Sequence, residues 1–173
     1  MHVDGASNAQ GAGAGVVLTN PDREKLRYAL RFEFKASNNE AEYEALIVGL
    51  ELANKLGAQN LRIHCDSQLI VNQVKGDYAA KEPNMVAYLS KAQKNLEALS
   101  WFEIVQVPRE ANIDADALAR LASGIDEEGE GSVPIEVLTR PYVSRGDVGV
   151  VDETPPPSWM TPLVEFLRRG VVP

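Results

Sequence analysis

Cysteine is almost missing from this chain. Cys65 stands alone, so neither a disulfide framework nor a cysteine-based zinc site is available, and a single cysteine in an apolar stretch reads as a small core residue. Histidine is nearly as scarce: only His2 and His64 occur, and each reads as a packed or surface residue rather than a proton carrier. No apolar run approaches the roughly 20 residues that span a bilayer. The N-terminal MHVDGASN has neither the charged nor the apolar region of a signal peptide. The expectation is an intracellular, soluble protein with no membrane contact; nothing distinguishes cytoplasm from nucleus. Positive charge is also short. The formal net charge is −8, which argues against partners held by bulk electrostatics. The deficit is uneven: residues 1–124 carry 13 Lys and Arg against 16 Asp and Glu, whereas residues 125–173 carry 4 against 9.

What is present suffices for one domain and an appendage, with 173 residues of which 45% are hydrophobic. Residues 1–7 and 13–20 read as strands, with the Gly/Ala-rich GAGAG as the turn between them and Asn20-Pro21-Asp22 as the next turn. In the third strand Leu26, Tyr28, Leu30, Phe32 and Phe34 fall on one face, and Arg27, Arg31 and Glu33 on the other. Ser37-Asn38-Asn39 caps a helix over 40–56 that Gly57 ends. A strand at 61–65 follows, then a helix from Ser67 to Lys75 stopped by Gly76. Pro83 opens a helix to about Leu99, 101–107 is a strand, and Asn112 starts a last helix ending near Ser123-Gly124. The order βββαβααβα implies an α/β fold, a five-stranded mixed sheet with helices on both faces. After Gly124 the acidic IDEEGEGS reads as a linker. The chain thus divides into a domain at 1–124 and a tail at 125–173, with a short helix near 159–169.

Four acidic residues stand out by position. Asp4 lies within a strand, where Asp is disfavoured and helix capping is no explanation. Glu42 shares the helix stripe of Ala45, Leu46, Gly49, Leu50 and Ala53, which should face the sheet, while Glu40 and Glu44 fit a solvated helix start better. Asp66 follows a strand and precedes a helix, a position at which parallel sheets present functional groups, although capping explains it equally well. On the last helix Asp114 lies closer than Asp116 to the apolar stripe of Ala111, Ala115, Leu118 and Ala122, so periodicity does not choose Asp116. Carboxylates converging from separate elements suit a divalent-metal site.

The segments VDGASN, SNNxAEYEALIxGLExA, CDSQLIVNQV and VPREANxxADALA resemble the type 1 ribonuclease H family over about residues 1–123. The resemblance implies a ribonuclease H-like fold and hydrolysis of the RNA strand of RNA–DNA hybrids. It implies Asp4, Glu42, Asp66 and Asp116 as ligands and catalytic residues around two Mg2+ ions, with Mn2+ as a substitute. It also implies Asn38, Asn39, Gln68 and Asn112 as hybrid contacts, amides being suited to a ribose 2′-hydroxyl. A helix-capping reading of the asparagines remains open beside that one.

Departures from the family pattern shape the alternatives. Gln106-Val107-Pro108-Arg109-Glu110 occupies the loop where many members carry a histidine, and 76–82 holds Lys81 as its single cation in place of a basic protrusion. Only Met1, His2 and Val3 precede Asp4, so the first strand is expected to be short and the core under-built, as in a piece cut from a longer chain. PIEVLTRPYV and SWMTPLVEFLRRGVVP resemble the connection towards integrase in plant long-terminal-repeat retrotransposon polyproteins. That resemblance implies reverse transcriptase and integrase neighbours, with a monomeric nuclease between them. Two rivals stand beside the hybrid nuclease: a hybrid-binding remnant with little or no turnover, and a DNA nuclease of the same fold.

Overall fold

A computed structural model describes residues 1–123 and 135–142. The elements are β1 (His2–Ser7), β2 (Ala12–Thr19), β3 (Lys25–Phe32), α1 (Asn38–Lys55), β4 (Asn60–Cys65), α2 (Gln68–Lys75), α3 (Pro83–Glu97), β5 (Trp101–Gln106), a 3-10 turn at Arg109–Asn112, α4 (Ile113–Ser123) and β6 (Ile135–Leu138). The strands form one sheet in the order β5-β4-β1-β2-β3-β6. The first three run antiparallel, whereas β4, β5 and β6 are each parallel to a neighbour. The α/β architecture and mixed sheet read from the sequence are present.

Three features correct the sequence reading. The sheet has six strands rather than five, because Ile135–Leu138 adds to the outer side of β3. With Leu138 and Tyr142 almost fully buried, the boundary expected at 124 does not mark the end of the fold. Four residues on a sheet edge are too few for a period-2 signal. Secondly, GAGAG is not a turn: Ala12–Gly15 lie inside β2, and the reversal is made by Asn8, whose Oδ1 accepts from the backbone N–H groups of Gln10 and Gly11. Thirdly, β1 is short but not under-built. Met1 and Val3 both enter the core, each contributing about 1.5–3 kcal/mol of burial. The terminal amine also donates to the Arg62 carbonyl at 2.8 Å. The linker expected after Gly124 lies outside the described residues as far as 134, as does the helix near 159–169.

Both faces of the sheet are covered. The larger core packs α1, with α2 and α3, against β1, β2 and β4. A smaller cluster of Val17, Ala29, Ala115, Leu118 and Ala122 seats α4 on the other face. Glycine sets how near the helices come. A Cβ at Gly5 would lie 2.3 Å from the Ala41 carbonyl carbon, and one at Gly15 would lie 2.2 Å from the Ala115 carbonyl oxygen. Those two approaches bring the starts of α1 and α4 onto β1 and β2.

Candidate active site

The parallel ladder between β1 and β4 stops at Val3 and Cys65, and the space beyond that split is where the helix starts converge. Asp4 comes from β1, Glu42 from the first turns of α1, Asp66 from the residue after β4, and Asp116 from the first turn of α4. Local sequence fixes each placement. Ser37 caps α1 by accepting from the Glu40 N–H at 3.2 Å, and Ser67 caps α2 by accepting from the Ile70 N–H at 3.3 Å. Ser67 therefore does the capping, and the Asp66 side chain is left for the cleft.

All four carboxylates line one open cleft of about 670 Å³, together with Ser7, Asn38, Asn39, Arg109 and Arg120. Asp4 is the hub: its carboxyl group lies against those of Glu42, Asp116 and Asp66, which compete for the single proton it can hold. Oxygen atoms of Glu42 and Asp66 lie within 4.8 Å of each other, as does the Cys65 sulfur of both. Crowding like charges in a desolvated place favours protons or cations over bare anions. Burial, followed by the neighbouring Glu42 and Asp66, pushes Asp4 up to about 10. Burial pushes Glu42 up to about 7, although its hydrogen bond with Asp4 opposes this. Asp66 is raised by burial as well, with the Arg109 guanidinium pulling the other way from 3.9 Å. Burial also raises the Cys65 thiol, so Cys65 stays protonated and donates weakly to Glu42 at 3.8 Å. It is a core thiol rather than a thiolate ligand.

The amides divide differently from expectation. Asn38 and Asn39 are exposed on the cleft wall. Gln68 is exposed at the first residue of α2, beside cleft-lining Ser67 but outside the wall. Asn112 is 1% exposed and faces inward, its Nδ2 donating to the Val3 carbonyl at 2.9 Å. An asparagine at a helix start binds backbone as readily as ligand, and only burial separates the two. Asp114, which periodicity favoured, points away from the cleft into ion pairs with Lys25 at 3.3 Å and Arg27 at 3.6 Å.

Three residues escaped sequence reasoning. Arg120 lies one helical turn beyond Asp116 and reaches the same cleft; that spacing was readable once Asp116 was chosen. Ser7 lines the cleft while its hydroxyl donates to the Ala36 carbonyl at 2.5 Å, fastening the segment that leads into α1, whose first residues are Asn38 and Asn39. Glu44, expected to be solvated, is fully buried. It accepts from the Tyr88 hydroxyl at 2.7 Å and from the Tyr142 N–H at 2.9 Å.

The same stretch of chain is shared with known proteins. The family model described as "Reverse transcriptase-like" matches residues 2–122. Ribonuclease HI of Halobacterium salinarum is 35% identical over 123 residues, covering 70% of this chain and 62% of that protein. The crystal structure of RNase H1 from the same archaeon superposes with a TM-score of 0.66 at 34% identity, covering 70% of this chain and 93% of that one. LC11-RNase H1, solved in complex with an RNA/DNA hybrid, gives 0.65 at 31% identity, covering 72% and 95%. The chain belongs to this ribonuclease H-like family, and its α/β fold is the ribonuclease H fold. The matched region spans less than two thirds of the archaeal relative.

Proposed function

We propose that this chain is a metal-dependent endonuclease that hydrolyses the RNA strand of RNA–DNA hybrids by a two-metal-ion mechanism. The observation that carries the reading is the meeting of Asp4, Glu42, Asp66 and Asp116 in one open cleft. The donor set fits the ions: carboxylate oxygens suit Mg2+ or Mn2+, and two of these groups would otherwise hold protons well above the ordinary carboxylate range. Bound there, the ions would activate the attacking water, polarise the scissile phosphate and stabilise the leaving 3′ oxygen.

The remaining chemistry belongs to the chain. Asp4 and Glu42 release protons as they become ligands, so ion binding weakens as pH falls. Asn38 and Asn39 offer donors and acceptors at the cleft wall to a ribose 2′-hydroxyl. Arg109 and Arg120 bring positive charge to a cleft whose other charged groups are acidic, which compensates a phosphate chain locally where the net charge of −8 does not. Arg109 also occupies the loop that lacks a histidine, and its contact with Asp66 makes it the group available there to assist product departure.

The test is cleavage of a labelled RNA–DNA hybrid in Mg2+, with Asp66→Asn as control. Cleavage by wild type alone, with single-stranded RNA and duplex DNA left intact, is expected. Binding without cleavage favours the remnant, and cleavage of duplex DNA favours the DNA nuclease. A finer proposal rests on sequence alone: residues 125–173 mark a retrotransposon polyprotein in which reverse transcriptase and integrase flank this domain. Tethering to reverse transcriptase would supply hybrid affinity that a short basic inventory lacks. Among the described residues no helix is long and apolar enough to cross a membrane.

A further inference from the structure

Asn112 has the chemistry of a ligand contact and the location of a structural one. It ends the 3-10 turn just before α4, four residues ahead of Asp116. Its side chain is 1% exposed. The single hydrogen bond it donates spans 109 residues of sequence to the Val3 carbonyl at 2.9 Å, which belongs to the same peptide unit as the Asp4 N–H. Its Oδ1 is buried without a protein partner, so the amide is used through Nδ2.

The Val3 carbonyl occupies a particular place in the sheet. Along a strand, the N–H and C=O of one residue point to the same side. The His64 N–H bonds the Met1 carbonyl at 2.8 Å, so Met1 and Val3 both direct their backbone groups toward β4. The ladder ends there, with Val3 opposite Cys65, and the chain turns away at Asp66. The next rung needs a donor that β4 no longer supplies. Asn112 Nδ2 supplies it, from the 3-10 turn that leads directly into the helix carrying Asp116.

We infer that Asn112 is a positioning residue that wedges the split between β1 and β4 and sets the spacing of Asp4, Asp66 and Asp116. One side-chain hydrogen bond ties the strand holding the hub carboxylate to the turn that starts the helix holding the fourth, at the point where the third departs. The role is distinct from substrate contact, since the side chain neither lines the cleft nor reaches solvent. It rests on the reading of the four carboxylates as a metal site. Loss of the amide lets Asp4 and Asp116 drift apart while leaving every ligand in place.

The experiment is Mg2+ binding to the full chain by calorimetry without nucleic acid, for wild type and Asn112→Ala, with hybrid cleavage measured beside it. The expected result is a folded variant whose Mg2+ affinity falls about tenfold, the scale seen when groups supporting metal ligands are removed. In cleavage, kcat should fall at limiting Mg2+ and recover in part at high Mg2+, with KM for the hybrid unchanged within about twofold. Unchanged Mg2+ affinity with a lower Tm would overturn the assignment in favour of a purely structural role. A raised KM with unchanged Mg2+ affinity would overturn it in favour of substrate contact. If Asn112→Ala does not fold, the similarly sized Asn112→Leu, which fills the space without a donor, decides by the same affinity measurement. Wild type that binds no Mg2+ sinks the metal-site reading itself, which separates that failure from the failure of the positioning role.

Discussion

Helix α1 carries two buried carboxylates two residues apart, and their surroundings are opposites. Glu42 is 8% exposed and faces other acids: Asp4, with Asp66 beyond it. Glu44 is fully buried and faces donors, the Tyr88 hydroxyl and the Tyr142 N–H. One carboxylate sits among acids, with Cys65 and the Gly5 backbone as donors, and the other sits where a hydroxyl and a backbone N–H both meet its Oε1. A crowded acid is a feature to be explained by what binds it, whereas a satisfied acid is explained by what it holds together.

The contrast breaks most sharply on activity. Glu42→Gln is expected to lower hybrid cleavage by more than about 100-fold, since changing even the groups that support metal ligands costs 10–100-fold. It should also raise the Tm of the metal-free protein, because it removes one member of a repelling cluster; a lower Tm would mean that Glu42 is satisfied after all. Glu44→Ala should do the reverse. It strands the Tyr88 hydroxyl and the Tyr142 N–H in the core and opens a cavity, for a loss of about 3 kcal/mol in denaturant unfolding. Cleavage per folded molecule should remain within about threefold.

Proton linkage gives a third, smaller effect. Glu42 is raised from 4.5 to about 7 and Asp4 from 3.8 to about 10. A folded-state value above the unfolded one means that the stability contribution is fully present below the unfolded value and is lost as pH rises through the folded one. The metal-free protein should therefore lose Tm as pH rises from about 4.5 to 7. Excess Mg2+ should offset that loss at pH 7, and Asp4→Asn should flatten the slope. The smallest effect is expected at Asp114, half-exposed and paired with Lys25 and Arg27. Asp114→Asn should change stability by no more than about 1 kcal/mol and leave cleavage unaltered, while Asp116→Asn abolishes it.

Much of the fold was legible because its signals are local. Alternation marked β3, Ser37 and Ser67 marked helix starts, and Gly76, with φ of 86°, marked a helix end. What could not be read depends on distant neighbours. Ala12–Gly15 look like a turn until α4 needs small residues beneath it. Glu44 looks solvated until a segment nearly a hundred residues later donates to it. At the site, the strand setting of Asp4 and the strand-end position of Asp66 drew attention from sequence alone. Asp116 was separable from Asp114 only by resemblance, because the salt bridges that occupy Asp114 come from β3. Asn112 illustrates the limit: residue type and helix position suit both ligand and backbone, and its hydrogen bond to the Val3 carbonyl depends on a strand 109 residues away.

Gly15 has no functional group and lies outside the cleft, yet any side chain there would collide with the Ala115 carbonyl at about 2.2 Å, one residue before Asp116. A random-mutagenesis screen scored only by nuclease output would rank this position beside the four cleft carboxylates. A map of intolerant positions would then mix two classes, those that touch the reaction and those that set how closely a helix may sit.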